Sequence, residues 1–282
     1  MRLEDLTRSG NVNFRSGGGG GGLLLGGGGI GALLIAGVVF LLGGDPSAVL
    51  NQGGSPAGVE QPGYDPNSES GRFVRVITGS TEEVLTEVFQ ESGGQYQIPS
   101  VEVFRGSTNT GCGYGQAAMG PFYCPADQNV YLDVAFFDEL SSRFGAPGDF
   151  AAAYVIAHEV GHHVQNLTGA NREANRLGAR GESSGSVRLE LQADCYAGVW
   201  AARANARNQA RNGRPLLETG DVEEGLRAAN AIGDDTLQRQ SGGRVAPDSF
   251  THGSSAQRVR WFRVGLESGD PARCDTFNAR QL

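Results

Sequence analysis

The chain has 282 residues, four of them histidine, with 23 Lys and Arg against 31 Asp and Glu for a formal net charge of −8. That length holds one sizeable domain of about 200 residues plus appendages. The acid excess excludes a nucleic-acid binder, which needs a basic face; Arg258, Arg260 and Arg263 cluster only mildly and read as a helix surface.

Residues 1–22 are polar and then Gly-rich, with Arg2, Arg8 and Arg15 outnumbering Glu4 and Asp5. Residues 23–42 carry no charge, and at about 1.5 Å per residue they match a bilayer core of about 30 Å. Despite their many glycines they are expected to form a transmembrane helix that contacts membrane lipid. Arginines before the stretch and acids after it (Asp45, Glu60, Asp65) place a cytoplasmic segment at 1–22 and the rest of this single-pass protein outside the cytoplasm. Residues 43–71, rich in Gly, Pro, Ser and Asn, read as a flexible tether, and the folded domain is expected to run from 72 to 282.

Thr81 to Ser92 reads as a helix capped by Thr81, with Val84, Leu85, Val88 and Phe89 as its apolar stripe. Val101 to Phe104 alternates as a strand does. Phe122-Tyr123-Cys124 and Val130-Tyr131-Leu132 are short β runs around a turn at 125–128. Residues 120–124 or 129–133 are candidates for a sheet edge to which an extended peptide adds, with a plain hairpin as the equal alternative. Ala135 to Phe144 reads as a short helix. Cys112, Cys124, Cys195 and Cys274 form no C-x-x-C pair, which argues against a structural zinc site and for two disulfides. Of three possible pairings, Cys112–Cys124 and Cys195–Cys274 are favoured, the first closing a Gly-rich loop and the second tying down the tail.

The stretch from Tyr154 to His163 contains His158-Glu159-Val160-Gly161-His162. Four-residue spacing puts His158 and His162 on one helix face, one turn apart, with Glu159 placed to act on a zinc-bound water. Asp149 is a plausible N-cap and Gly169 a stop. His163 points about 100° away and reads as a packing or surface residue. A catalytic zinc takes three protein ligands and a water, which leaves Glu173, Glu182 or Glu190 to complete the set. Glu173 follows too soon and Glu182 sits in a flexible loop. Glu190 lies in a helical run from about Val187 to Arg211, one turn before Asp194, so one acid can bind zinc while the other accepts the free N–H of a ligating His.

Residues 148–167, the run Glu190-Leu191-Gln192-Ala193-Asp194-Cys195-Tyr196 and the later Phe250-Thr251-His252-Gly253-Ser254-Ser255 resemble the bacterial neutral zinc metallopeptidase family, a group of membrane-anchored peptidases, over nearly the whole chain. More distantly, the two motifs are similar to the gluzincins. The resemblance implies Zn2+ held by His158, His162 and Glu190, Glu159 as general base, and Asp194 supporting a ligating His. His252 resembles a Thr-His in membrane zinc peptidases and is a candidate donor to the transition state; capping the helix that starts near Ser254 is its alternative role. Asp221 with Glu224 reads as a capping box, 234–244 as a polar loop, and Arg258 to Leu266 as the last helix.

The expected fold is α+β: a mainly helical zincin-like domain with a small sheet, behind one transmembrane helix. The expected function is membrane-anchored, zinc-dependent hydrolysis of peptide or protein substrates. An inactive, membrane-tethered zinc-binding module is the alternative.

Overall fold

The computed structural model describes residues 1–15 and 64–282. In chain order they form β1 (Val12–Phe14), α1 (Glu69–Glu91), β2 (Val101–Val103), β3 (Ser107–Thr110), β4 (Gly113–Gln116), β5 (Phe122–Cys124) and β6 (Asn129–Leu132). Eight-residue α2 (Ala135–Ser142) then leads to α3 (Asp149–Thr168), α4 (Ala170–Leu177), α5 (Gly185–Asn212), α6 (Asp221–Ala231), α7 (Asp234–Gln240) and α8 (Ser255–Ser268). The architecture is α+β, mainly helical with a small sheet, as expected.

The sheet runs β1-β2-β6-β5, with the first three strands parallel and β5 antiparallel to β6. All three β2 residues are buried, as in a strand covered on both faces. β6 is paired on both sides, so of the two candidate edges 129–133 is interior, and among the described residues the run containing β5 lies at one border of the sheet. β3 and β4 form a separate hairpin, stapled to β5 by Cys112–Cys124. The second bridge is Cys195–Cys274; both favoured pairings are present.

Residues 1–15 belong to this body. β1 is in register with β2, and the buried Glu102 receives Asn13 Nδ2 at 2.8 Å and Arg15 Nε at 2.6 Å. The Met1 amino group lies 3.0 Å from Asp149 and 3.2 Å from Asp221. The described part of the segment expected at 1–22 is thus hydrogen-bonded into the same sheet as the domain expected from residue 72. Residues 23–42, read as a membrane span, lie outside the described residues, as does most of the 43–71 tether. Among the described residues no helix is long and apolar enough to cross a membrane.

Some boundaries differ from the sequence reading. The domain resumes before residue 72, because Ser68 caps α1 by accepting the Gly71 N–H. Thr81 is buried mid-helix and turns its hydroxyl to the Thr78 carbonyl at 2.7 Å. Phe73, Val74, Val76 and Ile77 extend the apolar stripe one turn and more upstream. Asp149 is the first residue of α3 rather than its cap, and the Phe150 N–H is taken by Glu224 at 3.1 Å. Glu224 therefore caps a neighbouring helix instead of forming a box with Asp221. Asp234 opens α7 where a polar loop was expected.

The core forms around α3, whose residues 150–165 are all buried, so the helix is enveloped rather than amphipathic. Glycines set how closely its neighbours approach. A Cβ on Gly161 would stand 3.1 Å from Ala193 Cα on α5. α5 and α8 cross tighter still: a Cβ on Gly265 would meet the Cys195 carbonyl oxygen at 1.9 Å, and one on Gly198 the Phe262 oxygen at 2.2 Å.

Candidate metal centre

The close contact at Gly161 carries α5 against the face of α3 that bears His158 and His162. Glu190 and Asp194, one turn apart on α5, meet those rings. The Nε2 atoms of His158 and His162 are 3.2 Å apart; Glu190 Oε2 is 3.2 Å from the first and Oε1 is 3.6 Å from the second. Four tetrahedral ligands about 2.0–2.1 Å from zinc stand about 3.3–3.4 Å from one another. The two ring nitrogens and the Glu190 carboxylate, which meets each ring through a different oxygen, therefore stand at close to that spacing, and their chemistry, two imidazoles and a carboxylate, suits zinc. Glu173 and Glu182, the other candidate ligands, are exposed.

Each ring is held from behind. His158 Nδ1 lies 2.8 Å from Asp194 Oδ1, and His162 Nδ1 lies 2.8 Å from Gln165 Oε1. A proton on each Nδ1 leaves each Nε2 lone pair facing the shared point. Asp194 also accepts the Tyr154 hydroxyl and a forked pair from the buried Arg258, Nε to Oδ2 and Nη2 to Oδ1, both 2.9 Å. Arg258 is no part of a helix surface, as its sequence neighbourhood had suggested; the Gly198–Gly265 crossing brings it inside.

The protonation states follow from burial and these partners. Burial holds His162 down at about 4, neutral and able to ligate. Burial also acts downward on His158, but the Asp194 charge outweighs it and the ring rises to about 9. The shift favours a proton on His158 facing Glu190, in the position where a cation would otherwise bind. Burial acts upward on Glu190, yet His252, His162 and His158 hold it well below the usual carboxylate range. Burial is likewise outweighed at Asp194, where Arg258 and His158 bring the carboxylate to about 2.

Glu159 lines the same cleft, 8% exposed, and no hydrogen bond engages its carboxylate among the described residues. Burial pushes it up to about 8, so it readily takes a proton. His252 lines this cleft too, although it is 90 residues beyond His162 in sequence (252 − 162). Its Nδ1 faces Thr251 Oγ1 at 2.9 Å and Asp234 Oδ1 at 3.4 Å. Asp234 Oδ2 gathers the backbone N–H groups of Thr251, His252 and Gly253 at 2.7, 2.7 and 3.1 Å. His252 therefore sits ahead of the Ser254–Gln257 capping box instead of serving as a cap itself. His163 turns away, as expected, to Tyr123 and the Gln97 carbonyl.

Sequence reasoning missed Tyr154, Gln165, Asp234 and Arg258. The first two carried a signal, since they lie four residues before His158 and three after His162 on its helix face. Asp234 and Arg258 carried none, because their partners are remote in sequence.

The family described as "Putative neutral zinc metallopeptidase" matches residues 1–277. The chain is 52% identical to the uncharacterized protein YpfJ of Escherichia coli (strain K12) over 213 residues, 74% of this chain and 72% of that one. It is 45% identical over 254 residues, 86% of each chain, to the uncharacterized protein Rv2575 of Mycobacterium tuberculosis (strain ATCC 25618 / H37Rv). No solved structure matches the chain significantly. With a match spanning almost its entire length and a His-His-Glu cluster at its centre, the chain belongs to the neutral zinc metallopeptidase family.

Proposed function

We propose that this protein is a zinc-dependent peptidase that hydrolyses peptide bonds in extended protein segments laid along β5. The observation carrying the reading is the convergence of the His158 and His162 Nε2 atoms and the Glu190 carboxylate at 3.2–3.6 Å from one another, with the Glu159 carboxylate in the same cleft.

His158, His162 and Glu190 would hold the ion. When bound, zinc supplies Lewis acidity, polarising the scissile carbonyl and acidifying a water molecule. Glu159 accepts the proton of the attacking water and hands it to the leaving amine, a role favoured by a pKa poised near neutrality. His252 donates to the oxygen on which negative charge develops, and Asp234 holds its Nδ1 side so that Nε2 faces the cleft. β5, at one border of the sheet beside α3, offers main-chain groups to an extended substrate. Gly120, Pro121 and Phe122, at the start of that strand, line the same cleft. The two disulfides favour a compartment outside the cytoplasm, with residues 1–15 and 64–282 on the same side of any membrane.

The test is hydrolysis of casein by the purified full chain, with chelator, and with zinc restored. Chelator should abolish cleavage, zinc should restore it, and Glu159→Gln should bind zinc without cleaving. Undiminished cleavage by Glu159→Gln would discard the mechanism. Zinc binding with no cleavage by the wild type would leave the binding-module alternative.

A further inference from the structure

α5 engages two parts of the chain at once. Glu190 and Asp194 face α3, while Arg188, Gln192 and Cys195 face the last stretch of the chain. Arg188 donates to the Thr276 carbonyl, and the Thr276 hydroxyl donates back to the Arg188 carbonyl at 2.8 Å. Gln192 Nε2 donates to the Cys274 carbonyl at 2.9 Å, and Cys195 is bonded to Cys274.

From Gln192 a line of amides runs inward to the metal centre. Gln192 Oε1 accepts from Gln165 Nε2 at 3.2 Å, and the same Gln165 nitrogen donates to the Leu189 carbonyl at 2.6 Å. Gln165 Oε1 then accepts from His162 Nδ1 at 2.8 Å. Every member is buried: His162 3%, Gln165 0%, Gln192 8% and Cys274 1% exposed.

We infer that Gln165 and Gln192 are positioning residues that transmit the fastening of the tail at Cys274 to His162, so that metal affinity depends on the Cys195–Cys274 disulfide. This rests on the zinc reading above. Each amide presents a donor at one end and an acceptor at the other, so the orientation of one dictates the next. The Cys274 carbonyl claims the Gln192 amino group and turns Oε1 toward Gln165. Gln165 then points its own oxygen at His162, which keeps the imidazole proton on Nδ1 and the Nε2 lone pair free for a cation. With the tail released, Gln192 is free to flip and to present its amino group to that of Gln165. Gln165 then keeps only the Leu189 carbonyl, with the Gln192 amino group pressed against its own, and this weakens its hold on the His162 proton, which can move to Nε2, a form that does not ligate.

The experiment uses the full chain, with zinc affinity read by competition against a chromophoric chelator and coordination read from the absorption spectrum of the cobalt-loaded protein. In the Cys112→Ser, Cys124→Ser variant, a phosphine can cleave only Cys195–Cys274. The phosphine supplies two electrons and becomes its oxide, while water supplies the oxygen and the two protons of the resulting thiols. Reduction should weaken zinc binding about tenfold or more, the range for loss of a ligand's hydrogen-bonded support, and should shift the cobalt spectrum. Gln192→Met, with both disulfides intact, should do the same and keeps the inference testable if the cysteine variant does not fold. Folded Gln192→Met with wild-type zinc affinity and cobalt spectrum overturns the inference alone. A wild type that binds no zinc overturns the zinc reading itself, and this inference with it.

Discussion

Arg258 and Asp194 form a forked ion pair in the interior, two contacts of 2.9 Å between side chains 2% and 0% exposed. The pair joins the last helix to the acid behind His158. Arg258→Met would break this buried pair and leave Asp194 only its contacts with His158 and Tyr154, and removing one partner of a buried pair typically costs about 3–5 kcal/mol. Arg258→Lys should also lose stability, because an ammonium cannot reproduce the fork. Chemical denaturation of the metal-free chain measures both, and wild-type stability in Arg258→Met would refute the assignment.

Glu190→Ala removes one of three donors. Zinc content after dialysis should fall from about one ion per chain toward none. Glu173→Ala and Glu182→Ala, at exposed positions, should leave it unchanged. Elemental analysis decides, and full zinc retention in Glu190→Ala would exclude Glu190 as a ligand.

His252→Ala should lower kcat by about 10²–10³ with KM little altered, as expected for a donor engaged only in the transition state. Asp234→Asn should weaken the same effect less severely, through loss of the partner that steadies the ring. An unchanged kcat in His252→Ala would leave the residue a structural role only.

The metal-free chain should be most stable in mildly acidic solution. His158 is raised to about 9, chiefly by Asp194 acting against burial. It binds its proton more tightly folded than unfolded, so its stabilisation is complete below about 6.5 and is lost as pH rises toward 9. Glu159, raised to about 8 by burial, has the same sign, losing stabilisation as pH rises from 4.5 through about 8. On the acid side burial holds His162 at about 4, so its contribution is present above 6.5 and lost as pH falls through 4. Asp194, at about 2, follows below that. Melting temperatures in chelator should therefore fall from about pH 6.5 to 9, and excess zinc should flatten that fall by replacing the His158 proton. A flat profile in chelator would count against the protonated His158.

Gly265→Ala places a methyl group 1.9 Å from the Cys195 carbonyl oxygen and must push α8 from α5. Overpacking of this kind costs about 1–3 kcal/mol. Because α8 carries Arg258, zinc affinity should fall along with the melting temperature. Unchanged values for both would show that the crossing has slack.

The local rules worked where the physics is local. The pitch of a helix places His158 and His162 together from their spacing alone, and it places Glu190 beside Asp194 by the same rule. The αL stop at Gly169 and the hairpin around Gln128 also follow from chain-local geometry. Thr81 misled because a buried threonine that turns its hydroxyl to its own helix looks, in sequence, like a cap. The strand Val12–Phe14 was hidden because its partner lies 89 residues away (101 − 12) and three residues carry too little pattern.

From the sequence alone came the two-histidine helix, the glutamate beside the first ring and the acid pair, by spacing and residue chemistry; the two disulfides were the favoured pairing of three, and the structure decided between them. The tertiary structure alone decided that residues 1–15 share a sheet with the domain, that β5 rather than β6 lies at a border, and that Arg258, Asp234 and the Gln165–Gln192 amides reach the site. Those relationships depend on how closely helices cross at Gly161, Gly198 and Gly265. Such distances are set by packing between remote segments, which no local period encodes.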